Sequence, residues 1–203
     1  MNVYSDIAEA PQRGRAGKKE QTTLFINACV RRNSRTKRLA DDLLAKYEGP
    51  VTEIRLGEIR FAPTDEAYLR RRDRLLAEKK FTDPMFAQAV CFAAADRIVI
   101  AAPYWDLSFP AALKQYLEQI NVPGVTFFYT PQGVPQGLCR AKVLIYVSTA
   151  GGTYVPDTFG FGYVKALAQN FYGIENVRLV QAVGLDLDGA DPERILRESI
   201  QTT

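Results

Sequence analysis

From Thr22 onward, five short apolar runs alternate with helical stretches, and few folds accept that pattern. The runs are Thr23–Cys29, Val51–Leu56, Asp96–Ala102, Lys142–Ser148 and Val177–Leu185. Their length and β-branched content mark them as strands. Helical patterns fill the intervals: Ser34–Tyr47, Asp65–Lys80, Pro84–Ala95, Pro110–Ile120, Thr158–Tyr172 and Asp191–Gln201. Asp83-Pro84 and Asp191-Pro192 stand in cap and first-turn positions, and Gly49-Pro50 ends the first helix. The 96–102 run is apolar nearly throughout, as in a central strand buried on both faces. This alternation predicts an α/β fold, a doubly wound five-stranded parallel sheet with helices on both faces. Sheets of that kind take ligands beyond the carboxyl ends of their strands, at the switch in strand order. Val125–Thr130 and Gly137–Arg140 read as two short extended arms around Pro131, Gln132 and Gly133.

One folded domain with an appended arm is expected from chain organisation: residues 1–21 read as a flexible polar arm and residues 22–203 as the folded domain. The 203 residues, 47% hydrophobic, suit one core. A formal charge of +3 is too weak and too dispersed for a nucleic-acid partner. The densest basic cluster, Arg70, Arg71, Arg72 and Arg74, lies among Asp65, Glu66, Asp73 and Glu78, as on a solvated helix face. Histidine is absent, which removes Ser-His-Asp and Cys-His catalysis and histidine-ligated metals. Cys29, Cys91 and Cys139 form no metal-binding spacing. Sparse cysteines, no apolar stretch of membrane-spanning length and no signal-peptide core lead to the expectation of a cytoplasmic protein without a membrane partner.

Three loops are expected to meet at one sheet edge. The first, Cys29–Thr36, leaves the first strand and opens a helix, whose free N–H groups and positive dipole end suit a phosphate. Ser34 and Thr36 supply hydroxyls there, and Arg31, Arg32 and Arg35 supply charge. The loop has neither the glycine spacing of a dinucleotide fingerprint nor a Walker loop; an ordinary helix cap by Ser34 is the alternative. The second loop, Pro103–Pro110, carries the only tryptophan, Trp105, between Tyr104 and Phe109. A flat heteroaromatic ligand explains three aromatics after a buried strand, and a local cluster packed on the next helix is the alternative. The third loop, Ser148–Tyr154, holds Gly151 and Gly152, where backbone amides can come close to a ligand.

Pro103-Tyr104-Trp105, Leu113-Lys114-Gln115-Tyr116, the stretch Gly124–Thr130, Gly133, Gly137-Leu138 and the stretch Ser148–Gly152 resemble the FMN-dependent NADH-azoreductases, flavodoxin-like quinone reductases. The resemblance runs from about Thr22 to the end of the chain. It implies a homodimer with two FMN sites at the interface, NADH or NADPH as cosubstrate, and a small aromatic electron acceptor such as a quinone or azo compound. By motif, Ser34 and Thr36 would hold the FMN phosphate, with Arg35 and Cys29 beside them. Pro103, Tyr104, Trp105, Asp106 and Leu107 would line the ring. Ser148, Ala150, Gly151 and Gly152 would follow its pyrimidine edge. Tyr129 would shape the substrate side, with no side chain acting as a certain catalytic group.

The chain departs from the family pattern at three places. Cys29 stands where serine is usual, and a thiol is the weaker donor. Tyr104-Trp105-Asp106-Leu107 replaces Met-Tyr-Asn-Phe, so the donor amide of the asparagine is lost. Thr149-Ala150 replaces the common Arg-Gly and removes a charge. Two other functions use the same fold: a one-electron carrier flavodoxin, typically shorter and acidic, and a non-catalytic regulatory flavoprotein.

Overall fold

The computed structural model describes residues 20–201, and all but Glu20 and Gln21 of the stretch read as an arm lies outside the described residues. Five parallel strands form the central sheet: β1 (Thr23–Asn27), β2 (Val51–Arg55), β3 (Arg97–Ala101), β6 (Val143–Thr149) and β7 (Asn176–Ala182). Their order is β2-β1-β3-β6-β7, so the chain moves first to one side of β1 and then to the other. That reversal puts the switch point between β1 and β3, whose residues pair from Thr23 with Arg97 to Asn27 with Ala101.

Side-chain alternation along these strands builds two cores. Leu24, Ile26, Ile98, Ile100, Leu144 and Tyr146 face one way, onto α3 (Ala87–Ala94), α4 (Ala111–Ile120) and α5 (Phe161–Leu167). Phe25, Val99, Ile145, Val147 and Val180 face the other way, onto α1 (Arg35–Leu44) and α6 (Pro192–Gln201). Helix α2 (Glu66–Ala77) contributes Leu75 to the first core. Arg70, Arg71 and Arg74 are exposed, as the charge pattern predicts, and Arg70 and Arg71 pair with Glu66 and Asp83, whereas Arg72 is half-buried and donates to the Asn121 carbonyl at 2.8 Å.

The Gly124–Thr130 element has a structural cause. Gly124 takes φ +86, a left-handed conformation that glycine alone enters without cost. Thr126 is buried; its hydroxyl donates to the Ile120 carbonyl at 2.7 Å and accepts from the Val122 amide at 3.1 Å. These bonds close the C-terminal end of α4, where carbonyls would otherwise lack donors. The hairpin β4 (Phe127–Tyr129) and β5 (Pro135–Gly137) follows.

The second arm therefore lies at 135–137, earlier than the expected Gly137–Arg140. Gly133 takes φ +77, the Thr130 amide donates to the Val134 carbonyl at 2.8 Å, and this tight turn brings the return strand forward. Helix α5 is also shorter than the expected 158–172. Its start is delayed because residues before Phe161 turn on Asp157, whose carbonyl accepts from the amides of Gly160 and Gly162. Residues Ala168–Tyr172 widen into a π turn that ends at Gly173, φ +71. The β5 backbone meets that turn directly: a Cβ at Gly137 would fall 2.1 Å from the Gly173 nitrogen. Strand β7 stops at Ala182, short of Leu185, because Gly184 turns at φ +75.

Candidate functional site

A cleft of about 230 Å³ opens at the carboxyl edge of the sheet, over the β1/β3 switch. Ser34, Arg35, Thr36, Pro103, Tyr104, Trp105, Ala150 and Gly151 line it, so all three expected loops contribute. Val30, Arg31, Asn33, Thr149 and Asp186 complete the wall. Cys29, Asp106, Leu107, Ser148 and Gly152 belong to the same loops but do not line the cleft itself. Tyr129 stands apart on the β4–β5 hairpin, where its ring and that of Phe127 meet edge-on at 5.3 Å.

At the α1 end, Ser34 is the helix cap: its Oγ accepts from the Lys37 amide at 3.2 Å. Capping uses one lone pair and leaves the hydroxyl proton available to an acceptor in the cleft. Thr36 is buried, and its hydroxyl shares a 2.6 Å hydrogen bond with that of Thr149. Arg35 crosses the cleft: Nη1 donates to the Leu185 carbonyl at 3.1 Å and Nη2 to Asp186 Oδ1 at 2.7 Å. Arg31 and Arg35 are the cations of the lining, and Asp186 opposes them. Cys29 sits at the strand end with its sulfur 3.9 Å from the Ala101 carbonyl. Burial raises its pKa, so it is a neutral thiol at physiological pH.

The aromatic loop divides its three rings. Phe109 packs on Tyr163 at 6.0 Å and belongs to the core face. The Tyr104 hydroxyl donates to the Pro156 carbonyl, and Ser108 Oγ donates to the Phe159 carbonyl, tying this loop to the segment before α5. Trp105 remains at the cleft, 38% exposed. It begins a two-residue hairpin turn closed by reciprocal backbone bonds between Trp105 and Ser108, at 3.1 and 2.7 Å. Asp106 and Leu107, the turn residues, have φ of +50 and +67. Asparagine, aspartate or glycine normally fills the first of these positions and glycine the second, so the strain falls on Leu107. The expected aromatic wall thus reduces to Trp105 and Tyr104, held by a strained turn.

Gly151 and Gly152 differ. A Cβ at Gly151 would fall 2.2 Å from Asp186 Oδ2, so a neighbouring carboxylate occupies the room of a side chain. A Cβ at Gly152 would meet nothing within 4 Å. The loop is held through its carbonyls: Gly184, Leu185 and Asp186 donate their amides to Gly152, Ala150 and Gly151 respectively. Ser148 is 1% exposed and its hydroxyl has no hydrogen-bond partner among the described residues, an orphan group at the carboxyl end of β6.

Asp186 is the site residue that sequence reasoning missed. Its signal was positional: the loop after the last strand ends at the same carboxyl edge as the other three. The donor set fits a group with a phosphate at one end and a flat, polar-edged ring at the other. Helix-end donors and arginines come from the first loop, Trp105 and Tyr104 from the second, and Ala150 and Gly151 from the third. No group of three or more metal-ligating side chains occurs among the described residues.

A parallel sheet in this strand order, with a cation-rich cleft at its switch point, defines the flavodoxin-like class, and residues 21–203 match the flavodoxin-like fold family. The chain belongs to that family, within the group of the FMN-dependent NADH:quinone oxidoreductases. The relative so named from Clostridium beijerinckii is 32% identical over 86% of this chain and 90% of its own length. Among solved structures, the FMN-dependent NADH-azoreductase from Bacillus anthracis str. Ames Ancestor, in complex with FMN, superposes with a TM-score of 0.72. It is 25% identical and the match covers 90% of this chain and 95% of that one. An azoreductase from Bacillus anthracis str. Sterne shares the fold with a TM-score of 0.77 at 24% identity, over 90% and 96% of the two chains.

Proposed function

We propose that this protein is an FMN-dependent NAD(P)H oxidoreductase that reduces quinones or azo compounds. The observation that carries the reading is the cleft itself: phosphate-type donors on α1, and Trp105, Ala150 and Gly151 from the two loops across the switch point, in a chain whose 32%-identical relative bears that activity in its name. FMN, when bound, supplies the hydride-accepting and hydride-donating chemistry.

The chain's own residues bind and orient. The Ser34 hydroxyl, the first amides of α1 and Arg35 hold the phosphate, with Arg31 adding charge. Trp105 and Tyr104 cover one part of the ring. The Ser148 hydroxyl and the amides near Gly151 and Gly152 take its polar edge, where negative charge collects on reduction, and backbone dipoles fixed in advance stabilise such charge. Asp106 and Leu107 contribute backbone groups from their turn. Cys29 packs behind the phosphate loop as a neutral thiol, and Thr36 acts through Thr149. Tyr129 is outside the cleft of its own chain and serves the substrate side of a second subunit.

The reading includes a homodimer, and exposed apolar groups support it. Phe128, Tyr129 and Val134 on the hairpin are 39%, 54% and 56% exposed, a patch of the kind that marks an interaction surface. The reading places the protein in the cytoplasm; its three cysteines are all unpaired, and no helix among the described residues is long and apolar enough to cross a membrane.

Steady-state oxidation of NADH by the FMN-loaded protein tests the activity. The reading expects turnover to rise severalfold on adding a benzoquinone or an azo dye, and light scattering to give a dimer mass. Absence of acceptor-dependent turnover with FMN bound would favour the non-catalytic flavoprotein.

A further inference from the structure

We infer that Asp186 is a positioning residue for phosphate binding, acting through Arg35. This rests on the FMN reading above and assigns a role to a loop that the three-loop picture of the site omits.

The argument starts with the basic side chains of α1. Each has its own anchor: Lys37 pairs with Asp41, Arg38 with Glu193, and Arg35 with Asp186. The first two pairs lie outside the cleft wall. In the third, both partners line it. Arg35 is also the one whose guanidinium has a second, backbone anchor, the Leu185 carbonyl. Two contacts on consecutive residues fix the plane of the guanidinium, which a single surface ion pair does not do. They use two of its five N–H donors, so the remaining donors stay available to an anion at the Ser34 end.

Asp186 is itself fixed. Its amide donates to the Gly151 carbonyl at 3.0 Å, and its carboxylate lies over Gly151, in space that any side chain there would take. Gly151, Asp186 and Arg35 therefore form one contact chain across the cleft, from the loop after β6, through the loop after β7, to the start of α1. In this chain Gly151 lacks a side chain to seat a carboxylate, and the carboxylate in turn sets an arginine. The competing effect is repulsion between Asp186 and a bound phosphate. Asp186 is 66% exposed, so that repulsion is screened by solvent, whereas Arg35, at 36%, gains more from being held in place.

The test compares FMN with riboflavin, which lacks the phosphate, in equilibrium titrations of the full chain. Asp186→Ala is expected to weaken FMN binding about tenfold, the loss of one oriented charged donor, and to leave riboflavin binding unchanged. Asp186→Asn, which still accepts from Arg35, is expected to fall between. In an Arg35→Ala background, adding Asp186→Ala is expected to change nothing more, the sign that the two residues act as a unit.

Equal losses for FMN and riboflavin would make Asp186 a general support of the cleft and overturn the inference. So would unchanged or tighter FMN binding in Asp186→Ala, or full additivity with Arg35→Ala. In each of those cases wild-type FMN binding still stands and the functional reading survives. A wild-type protein that takes up no FMN overturns both.

Discussion

Thr36 and Thr149 share a 2.6 Å hydroxyl–hydroxyl hydrogen bond that joins the first turn of α1 to the end of β6, directly beneath the cleft. Both residues are buried. The bond sets where the helix N-terminus stands relative to the sheet edge, and so where an anion held by that terminus sits.

Thr36→Val is accordingly expected to destabilise the fold, by about 1–3 kcal/mol, because it leaves the Thr149 hydroxyl buried without its partner. Ser34→Ala should cost about 1 kcal/mol through the lost cap, and should weaken FMN binding in addition. Urea denaturation of the two variants, set beside FMN titrations, separates the roles. If Thr36→Val kept full stability and lost FMN, the threonine would be a direct ligand instead.

The turn under Trp105 carries a second prediction. Leu107 has φ +67 and no glycine-like freedom. Leu107→Gly is expected to stabilise the protein by about 1 kcal/mol, as the left-handed strain is relieved. Urea midpoints measure this, and a loss of stability would show that the exposed Leu107 side chain matters more to the fold than its backbone strain.

Gly137 is required by close backbone approach. Its Cβ would lie 2.1 Å from both the Tyr172 carbonyl carbon and the Gly173 nitrogen, atoms that have no rotamer by which to withdraw. Gly137→Ala should lower thermal stability by several degrees, on the order of 2–3 kcal/mol for enforced overpacking. Gly133→Ala meets no neighbouring atom and suffers only its φ, so it should lose less. Equal melting temperatures for the two variants would remove the proposed contact between hairpin and π turn.

Alkaline pH supplies a fourth prediction. Burial pushes the Cys139 thiol from 9.0 up to about 12. Its folded pKa is thus above the unfolded one, and the neutral thiol is the form the fold prefers. The stability this contributes is complete below pH 9.0 and is lost as pH rises from there toward about 12. Cys139→Ala should lower stability near neutrality and flatten its alkaline decline. An unchanged slope between pH 9.0 and about 12 would mean that Cys139 ionises without penalty.

The strands and the site loops were legible because they rest on local signals. Apolar runs such as 96–102 and caps such as Ser34 and Asp83 declare themselves in sequence. The strand order then carried the loops after β1, β3 and β6 to one edge. What was not legible depends on distant contacts. Nothing in the sequence shows that Thr36 points to Thr149, that Gly151 makes room for Asp186, or that Phe109 leaves its aromatic neighbours for the core. The late start of α5 is partly of this kind: besides the local turn on Asp157, the segment before it is held by Tyr104 and Ser108, about fifty residues away in sequence. Helix propensity cannot record such a competitor.

The central claim, that FMN occupies the cleft at the β1/β3 switch, is tested most directly by a fluorescence titration. Trp105 is the only tryptophan of the chain and lines the cleft, so its emission reports on that site alone. The account predicts saturable quenching of Trp105 at one FMN per chain, with emission restored when the flavin is removed. Flavin that binds without changing Trp105 emission, or no flavin uptake at micromolar concentration, would contradict it.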